Sequence, residues 1–476
     1  MEYVILVLQT LANHLFLINI FFLFVVIFIE RRTPIRSLFW ISLLVFAPYL
    51  GLFTFLLFGL SLKKSKYINK FYTKVKIQHS IHNFFVNSNY SKRWKNLIEY
   101  LAVSQAGQLS SYDESLFFTK GDDFFNNLKL DILNAKKTIY MEYYIFKEDS
   151  LGELFFDLII KKAAEGVSIK LLLDGVNSIS YYKLNKLKKL GIEIEFFFPF
   201  LYIKFFYFKA NFRNHRKLTI IDGEIAYIGG FNIGKEYLGE SRLGKWRDTA
   251  LRLKGEIVHE FEKEFFSSWN FVIHSRKTTS SPYSLTHIYT PSEKRHSAQL
   301  VSSGPNFQLR TVRDNLLRMI TEAKQNIYIE TPYFIPDDLI LSALKIAATS
   351  GVKIKIIIPN IADHPFVYWV NQSYIGELLE YGISCYRYSD GFIHSKFLIV
   401  DDGIATLGTT NFDYRSFYDN FELNINLYSN SEVAKLRNIF IDDLKHSTLI
   451  THEEYIKRNN FTKFKESIFR LLAPML

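Results

Sequence analysis

Cysteine is almost missing from this chain of 476 residues, with Cys385 the only one. An internal disulfide is therefore excluded, and so is any metal site of the CxxC type. No His-x-His pair and no cluster of carboxylates argues for a metal ion, and no cofactor is expected. A positively charged leader is absent too. The chain starts MEYV and its first apolar run is too long for a secretory signal peptide. Acidic residues are in the minority, 47 against 58 Lys and Arg, leaving a formal net charge of +11. That surplus suits anionic partners: phospholipid headgroups, nucleic acid or phosphorylated metabolites.

Aromatic side chains are abundant instead, at 17% with 45 Phe and 29 Tyr, which points to contact with lipid. Residues 3–29 are almost wholly apolar. As a helix they would reach roughly 40 Å, enough to cross a bilayer core of about 30 Å. A second apolar run, 37–62, contains Pro48 and ends in LKKSK, and the charged turn ERRTPIR lies between the two. The pattern predicts a two-helix transmembrane hairpin over 1–62, with Gln9, Asn13 and His14 bonded to the neighbouring helix. Lysines 63, 64, 66 and 70 follow the second run, against Arg31, Arg32 and Arg36 in the turn. Counting these charges puts the remainder of the chain on the cytoplasmic side by a small margin.

Beyond about residue 110 short apolar strands alternate with amphipathic helices, the signature of an α/β fold. IYMEYYIF (139–146), a helix over 151–165 and the strand VSIKLLLDG form one strand–helix–strand unit, and residues 327–360 repeat that order. Each unit leads to its own His-x-Lys phrase, NHRKLTIIDGEIAYIGGFN at 214–232 and IHSKFLIVDDGIATLGTTN at 393–411. A whole domain is duplicated. The Ser-, Thr- and Pro-rich segment 274–297 is the natural linker between the copies.

In the first phrase the alternation of a strand turns His215 and Lys217 to one face and Leu218 and Ile220 to the core. Asp222-Gly223 supplies a turn, the glycines at 229 and 230 allow close backbone approach, and Asn232 follows as a neutral donor. The second copy has His394, Lys396, Asp401, Gly408, Thr409 and Asn411 at matching intervals. Two such halves about a pseudo-twofold axis would surround one phosphodiester. The lysines and asparagines would bind its non-bridging oxygens, one histidine would attack phosphorus, and the other would protonate the departing alkoxide. A single copy of the phrase would be a weak motif; two complete copies are a strong one.

The paired phrases resemble the HKD signatures of the phospholipase D superfamily. EYYIF at 142–146, NFRNHRK at 211–217, SSGPN at 302–306, ETPYFIP at 330–336, the DHP…LLEYGISCYRY run leading to GFIHSK and the tail RLLAPML at 470–476 resemble the bacterial cardiolipin synthases within it. The likeness covers essentially the whole chain, with Ala473 standing where such proteins usually have Ser. It implies two pseudo-symmetric phospholipase D-like α/β/α domains sharing one active site, preceded by the hairpin. The expected divisions are 1–62 hairpin, 63–110 basic connector, 111–273 first domain, 274–297 linker and 298–476 second domain with a docking tail.

The resemblance also implies the roles. His215, Lys217, Asp222, His394, Lys396 and Asp401 form the catalytic motifs, with His215 the nucleophile and His394 the acid and then base, although a pseudo-symmetric site permits the exchange. Asp222 and Asp401, at strand ends, are expected to fix local loops and not to move protons. Asn232 and Asn411 bind the phosphate, while Asp248 and Glu422 orient the two imidazoles. For Glu142 and Glu330 a buried structural role and an active-site role stand equal. The implied reaction converts two phosphatidylglycerol molecules into cardiolipin and glycerol at a bacterial cell membrane, with membrane lipid and not nucleic acid as partner. A phospholipase D-type hydrolase, a phosphodiester nuclease and an inactive membrane scaffold are the competing readings. Three further stretches point to lipid: the phenylalanine-rich 195–212 as an interfacial insertion, 63–76 as a basic headgroup-facing stretch, and 457–476 as a segment on the membrane or docked to the catalytic unit.

Overall fold

The computed structural model of the chain describes residues 17–29, 34–56, 89–104, 107–177, 179–197, 212–275, 296–361 and 363–475. Residues 63–76, 198–211 and 276–295, together with Gln9, Asn13 and His14, lie outside them, and with them most of the phenylalanine-rich stretch and the linker.

Two sheets make the body. In the seven-stranded sheet the order is Glu114–Phe118, Ala250–Lys254, Ile225–Gly229, Lys217–Ile221, Thr138–Tyr143, Ser168–Asp174, Glu193–Phe197. The nine-stranded sheet repeats this order with His296–Ser303, Glu422–Leu427, Ile404–Gly408, Phe397–Val400, Asn326–Glu330, Lys353–Pro359 and Ser384–Tyr388. Its two additional edge strands are Leu109–Tyr112 and Ser447–Leu449. Leu109–Tyr112 pairs with His296–Ser303, so the chain touches the second sheet before it enters the first. In both sheets the central strand runs parallel to one neighbour and antiparallel to the strand carrying the motif. Thr138–Tyr143 and Ile404–Gly408 are buried at every position.

The inner faces of the sheets share one core. Leu218, Ile220, Ala226 and Leu251 from one meet Leu300, Phe397, Leu407 and Ile425 from the other, together with Phe261 and Phe265 of helix Ile257–Ser275 and Phe440 of helix Asn430–Lys445. Outside, helices Gly121–Asn134 and Ser150–Ala164 cover the first sheet, and Thr311–Thr321, Asp338–Thr349 and Pro365–Leu379 cover the second. Burial of this size drives the two halves into a fixed register.

Each motif strand ends in a tight hairpin. Asp222 and Gly223 have φ of 56° and 69°, and Asp401 and Asp402 have φ of 51° and 53°. Two consecutive left-handed residues make the type I′ turn that suits the twist of a hairpin. Glycine takes the second position in the first copy, whereas Asp402 tolerates it in the second.

At the N-terminus residues 17–24 are helical and run into a π-helical turn at Val25–Ile29, followed by helices Pro34–Phe46 and Pro48–Thr54. The second apolar run is divided at Ala47–Pro48, because proline cannot donate its amide to a continuing helix and serves as the first residue of a new one. The 13-residue piece Pro34–Phe46 rises only about 20 Å. Among the described residues no helix is long and apolar enough to cross a membrane. Val26, Trp40, Leu44 and Phe55 form a small core there, while Phe21, Phe28, Leu38, Phe46 and Phe53 project outward.

Candidate active site

The two motif histidines sit just before their strands, where the halves are laced together. Asn214 forms a parallel bridge with Phe421, and the amide of His215 donates to the carbonyl of Phe421 at 3.0 Å. In the mirror arrangement Phe392–Ile393 pairs with Trp246–Arg247, and the amide of His394 donates to the carbonyl of Arg247 at 2.7 Å. Glu422 follows Phe421 and Asp248 follows Arg247. Each histidine is thereby laid beside a carboxylate carried by the opposite half.

Nδ1–H of His215 donates to both carboxylate oxygens of Glu422, at 3.0 and 3.1 Å. That carboxylate is held in turn by the hydroxyl of Thr409 at 2.5 Å and by Nδ2 of Asn420 at 3.2 Å. Nδ1–H of His394 donates to Asp248 Oδ2 at 2.6 Å, and the amide of Thr249 donates to Oδ1 at 2.7 Å. Gly230 makes this approach possible, since a Cβ there would lie 1.9 Å from Asp248 Oδ1. A carboxylate on Nδ1 fixes the tautomer and leaves Nε2 as the lone-pair nitrogen.

Both histidines line one pocket of about 480 Å³, with Asn232, Asn411, Tyr144, Trp246, Arg213 and Arg415 also in its wall. Lys217 and Lys396 lie beneath, their ammoniums folded back onto the carbonyls of His215 (2.7 Å) and His394. Burial holds both imidazoles well below the usual histidine range, at about 4, against the pull of Glu422 and Asp248. Burial likewise lowers Lys217 to about 7 and Lys396 to about 8, and the ammonium of Lys396 further disfavours the charge on Lys217. Burial opposes the charge on Asp248 and Glu422, yet Lys396 with His394 and His215 with Lys217 keep both below the ordinary carboxylate range. An anionic group in the pocket would favour both ammoniums and raise the histidines.

Asp222 and Asp401, grouped with the catalytic residues by their motif, are elsewhere. They cap the far ends of the motif strands, about 16 Å along the chain from the lysines. Asp222 accepts from the amides of Lys136, Lys137 and Thr138, and Asp401 from those of Lys324, Gln325 and Asn326 and from Arg93. Their work is to lock the hairpin onto the start of the central strand. Glu142 and Glu330 are fully buried behind the histidines. Glu142 accepts from Asn214 Nδ2 at 2.7 Å and is pushed up to about 7 by burial; Glu330 lies 3.9 Å from Arg247 Nη2.

Sequence reasoning did not single out Tyr237, whose hydroxyl is 3.3 Å from His394 Nδ1, or the ring contacts of Tyr144 with His215 (5.0 Å) and Trp246 with His394 (5.1 Å). It also passed over two buried arginines that tie the halves together. Arg216 donates to Ser302 Oγ at 2.7 Å and pairs with Glu264 at 2.6 Å, and Arg247 donates to Asp443 at 2.9 Å. Their only sequence signal is adjacency: Arg216 follows His215, and Arg247 precedes Asp248.

Family comparison decides the rest. The family described as "Cardiolipin synthase, PLD-like domain" matches residues 128–269 and 316–444, more than half of the chain and once in each half. The chain belongs to this family. It is 40% identical to a cardiolipin synthase of Listeria monocytogenes, over 97% of this chain and 98% of that protein. It is 38% identical to "Cardiolipin synthase 2" of Staphylococcus epidermidis over 97% and 96%. Among solved structures, a phosphatidylserine synthase of Haemophilus influenzae superposes with a TM-score of 0.61 at 14% identity, covering 81% of this chain and 96% of that one, which is a likeness of fold. Membership of this family makes the chain a phosphatidyl-transferring enzyme with the two-domain phospholipase D-like fold.

Proposed function

We propose that the chain makes cardiolipin by moving a phosphatidyl group from one phosphatidylglycerol to another. Nε2 of His215 attacks the phosphorus of the donor, the bond from phosphorus to the glycerol oxygen breaks, and glycerol leaves with a proton from His394. The terminal hydroxyl of the acceptor then gives its proton to His394, its oxygen bonds to phosphorus, and the P–N bond to His215 breaks. Lys217, Lys396, Asn232 and Asn411 hold the non-bridging oxygens, and Glu422 and Asp248 orient the rings. One observation carries this reading: both imidazoles line the same pocket with Nδ1 already taken by a carboxylate. Purified protein given labelled phosphatidylglycerol is expected to yield cardiolipin and free glycerol in equal amounts. Phosphatidic acid as the sole product would make it a hydrolase.

We read residues 1–62 as a two-helix membrane hairpin and 274–297 as the linker between catalytic halves 111–273 and 298–476, held at the cytoplasmic face of the cell membrane. The exposed apolar side chains of residues 17–56 support a lipid environment. So does the helix Asn460–Arg470. One of its faces packs on Pro365–Leu379, with Arg470 Nη1 donating to the carbonyl of Ser373 at 3.2 Å. The other carries Phe461, Phe464, Ile468 and Leu471, all exposed and flanked by Lys463 and Lys465. Met475, just beyond, packs on the N-terminal helical core, which sets this stripe beside the hairpin. Basic residues around an apolar stripe suit an anionic bilayer surface. Replacing Phe461 and Phe464 with Ser should lower activity on bilayers about tenfold relative to activity on detergent-dispersed lipid. Equal losses in the two settings would remove this helix from the lipid face.

A further inference from the structure

The His394 side of the pocket is built differently from the His215 side. Tyr237, whose hydroxyl reaches His394 Nδ1, belongs to the short turn Lys235–Leu238, and the residue before it, Glu236, lines the pocket while only 7% exposed. Its Oε2 is 2.8 Å from Nζ of Lys147, which lines the same wall with a side chain 46% exposed. The backbone is shaped around this pair. A Cβ at Gly234 would stand 2.5 Å from Glu236 Oε2, and the amide of Lys147 donates to the carbonyl of Ile233 at 2.9 Å, fixing the lysine's strand end to the glutamate's turn. On the His215 side the arginine of the wall, Arg213, is paired instead with the buried Asp174 at 3.4 Å, and Tyr144 stands beside the ring.

We propose that Lys147 and Glu236 form the acceptor subsite, with Glu236 binding the glycerol hydroxyl next to the reacting one and Lys147 the acceptor's own phosphodiester. The proposal rests on the reaction given above. If His394 protonates the departing glycerol and later deprotonates the incoming one, both polyols occupy the space beside His394, and the groups walling that space meet hydroxyls. A carboxylate is an acceptor-only group, and Glu236 can take a hydroxyl beside its ammonium partner. When the reacting hydroxyl donates to His394, a vicinal diol still has the neighbouring hydroxyl for Glu236, whereas a simple alcohol has none. The arriving lipid also brings a second phosphate, one glycerol away from the reacting oxygen, and a half-exposed ammonium on a long stem is suited to it. The pair thus favours an acceptor that carries both a neighbouring hydroxyl and a phosphodiester, which is the discrimination a transferase needs and a hydrolase does not.

The test uses the full-length protein with cardiolipin as donor and labelled glycerol or labelled 1-propanol as competing acceptors, reading labelled phosphatidylglycerol against labelled phosphatidylpropanol, because unlabelled phosphatidylglycerol leaves in every transfer. The wild-type protein is expected to prefer glycerol. Glu236→Gln should lower the glycerol-to-propanol ratio of kcat/KM about tenfold, with phosphatidylpropanol formation itself reporting that the protein is folded. Lys147→Met should raise KM for phosphatidylglycerol as acceptor about fivefold or more and leave the glycerol-to-propanol ratio in place. A ratio unmoved in Glu236→Gln, or proportional loss of both acceptors as a structural role would give, overturns the subsite. Wild-type protein that puts no label into lipid and yields phosphatidic acid and unlabelled phosphatidylglycerol with either alcohol would instead overturn the transfer reaction on which the subsite depends.

Discussion

Replacing His215 with Asn is expected to reduce cardiolipin formation by roughly 10⁴-fold or more, the scale on which loss of a covalent nucleophile is felt. The amide of Asn can still donate toward Glu422, so the loss would reflect the missing Nε2 and not a collapsed wall. A phosphatidyl donor with a p-nitrophenyl leaving group makes the assignment decisive, because that group departs without help from an acid. His215→Asn should give no burst of nitrophenol. His394→Asn should release about one equivalent per enzyme and then stall, since the phosphohistidine forms but no base activates the acceptor. The opposite pattern would exchange the two roles. A His215→Asn protein at full activity would end covalent catalysis at this residue.

The parts of this site that were legible in the sequence are those set by local chemistry. Alternation along a buried strand decides that His215 and Lys217 share a side, and a left-handed turn selects Asp222-Gly223 and Asp401-Asp402 regardless of anything distant. The duplicated strand–helix–strand order gave away the twin sheets, because each copy must bury the same faces. What stayed hidden depends on how the halves meet. Glu422 and Asp248 could be picked as orienting carboxylates from their spacing, yet nothing in the spacing says that each serves the other half's histidine. That follows from the two bridges, Asn214 to Phe421 and Phe392–Ile393 to Trp246–Arg247, which form only once both sheets have packed. Arg216 and Arg247 were overlooked for the same reason, as their partners Ser302 and Asp443 lie in the second half. The break in the second apolar run was hidden in another way. Summed hydropathy ignores a single proline, whereas Pro48 ends one helix and starts the next.

Glu422→Gln should therefore behave as a lesion of His215, although 207 positions separate the two residues, and Asp248→Asn as a lesion of His394. Each substitution keeps size and removes charge. An amide can present its NH₂ to Nδ1 and so favour the tautomer that protonates Nε2, and it no longer stabilises the imidazolium. Losses of about 10² to 10⁴ in kcat/KM are the expected scale. With the p-nitrophenyl donor, Glu422→Gln should slow the burst itself, while Asp248→Asn should keep the burst and lose the turnover that follows it. The double variant His215→Asn/Glu422→Gln should be scarcely worse than His215→Asn alone, since the carboxylate acts only through the ring it touches. If each carboxylate served the histidine of its own half, the two burst patterns would interchange and the non-additive pair would become His394→Asn/Glu422→Gln. Kinetics on four variants thus reads out whether the halves are catalytically crossed, a property that neither half possesses when considered by itself.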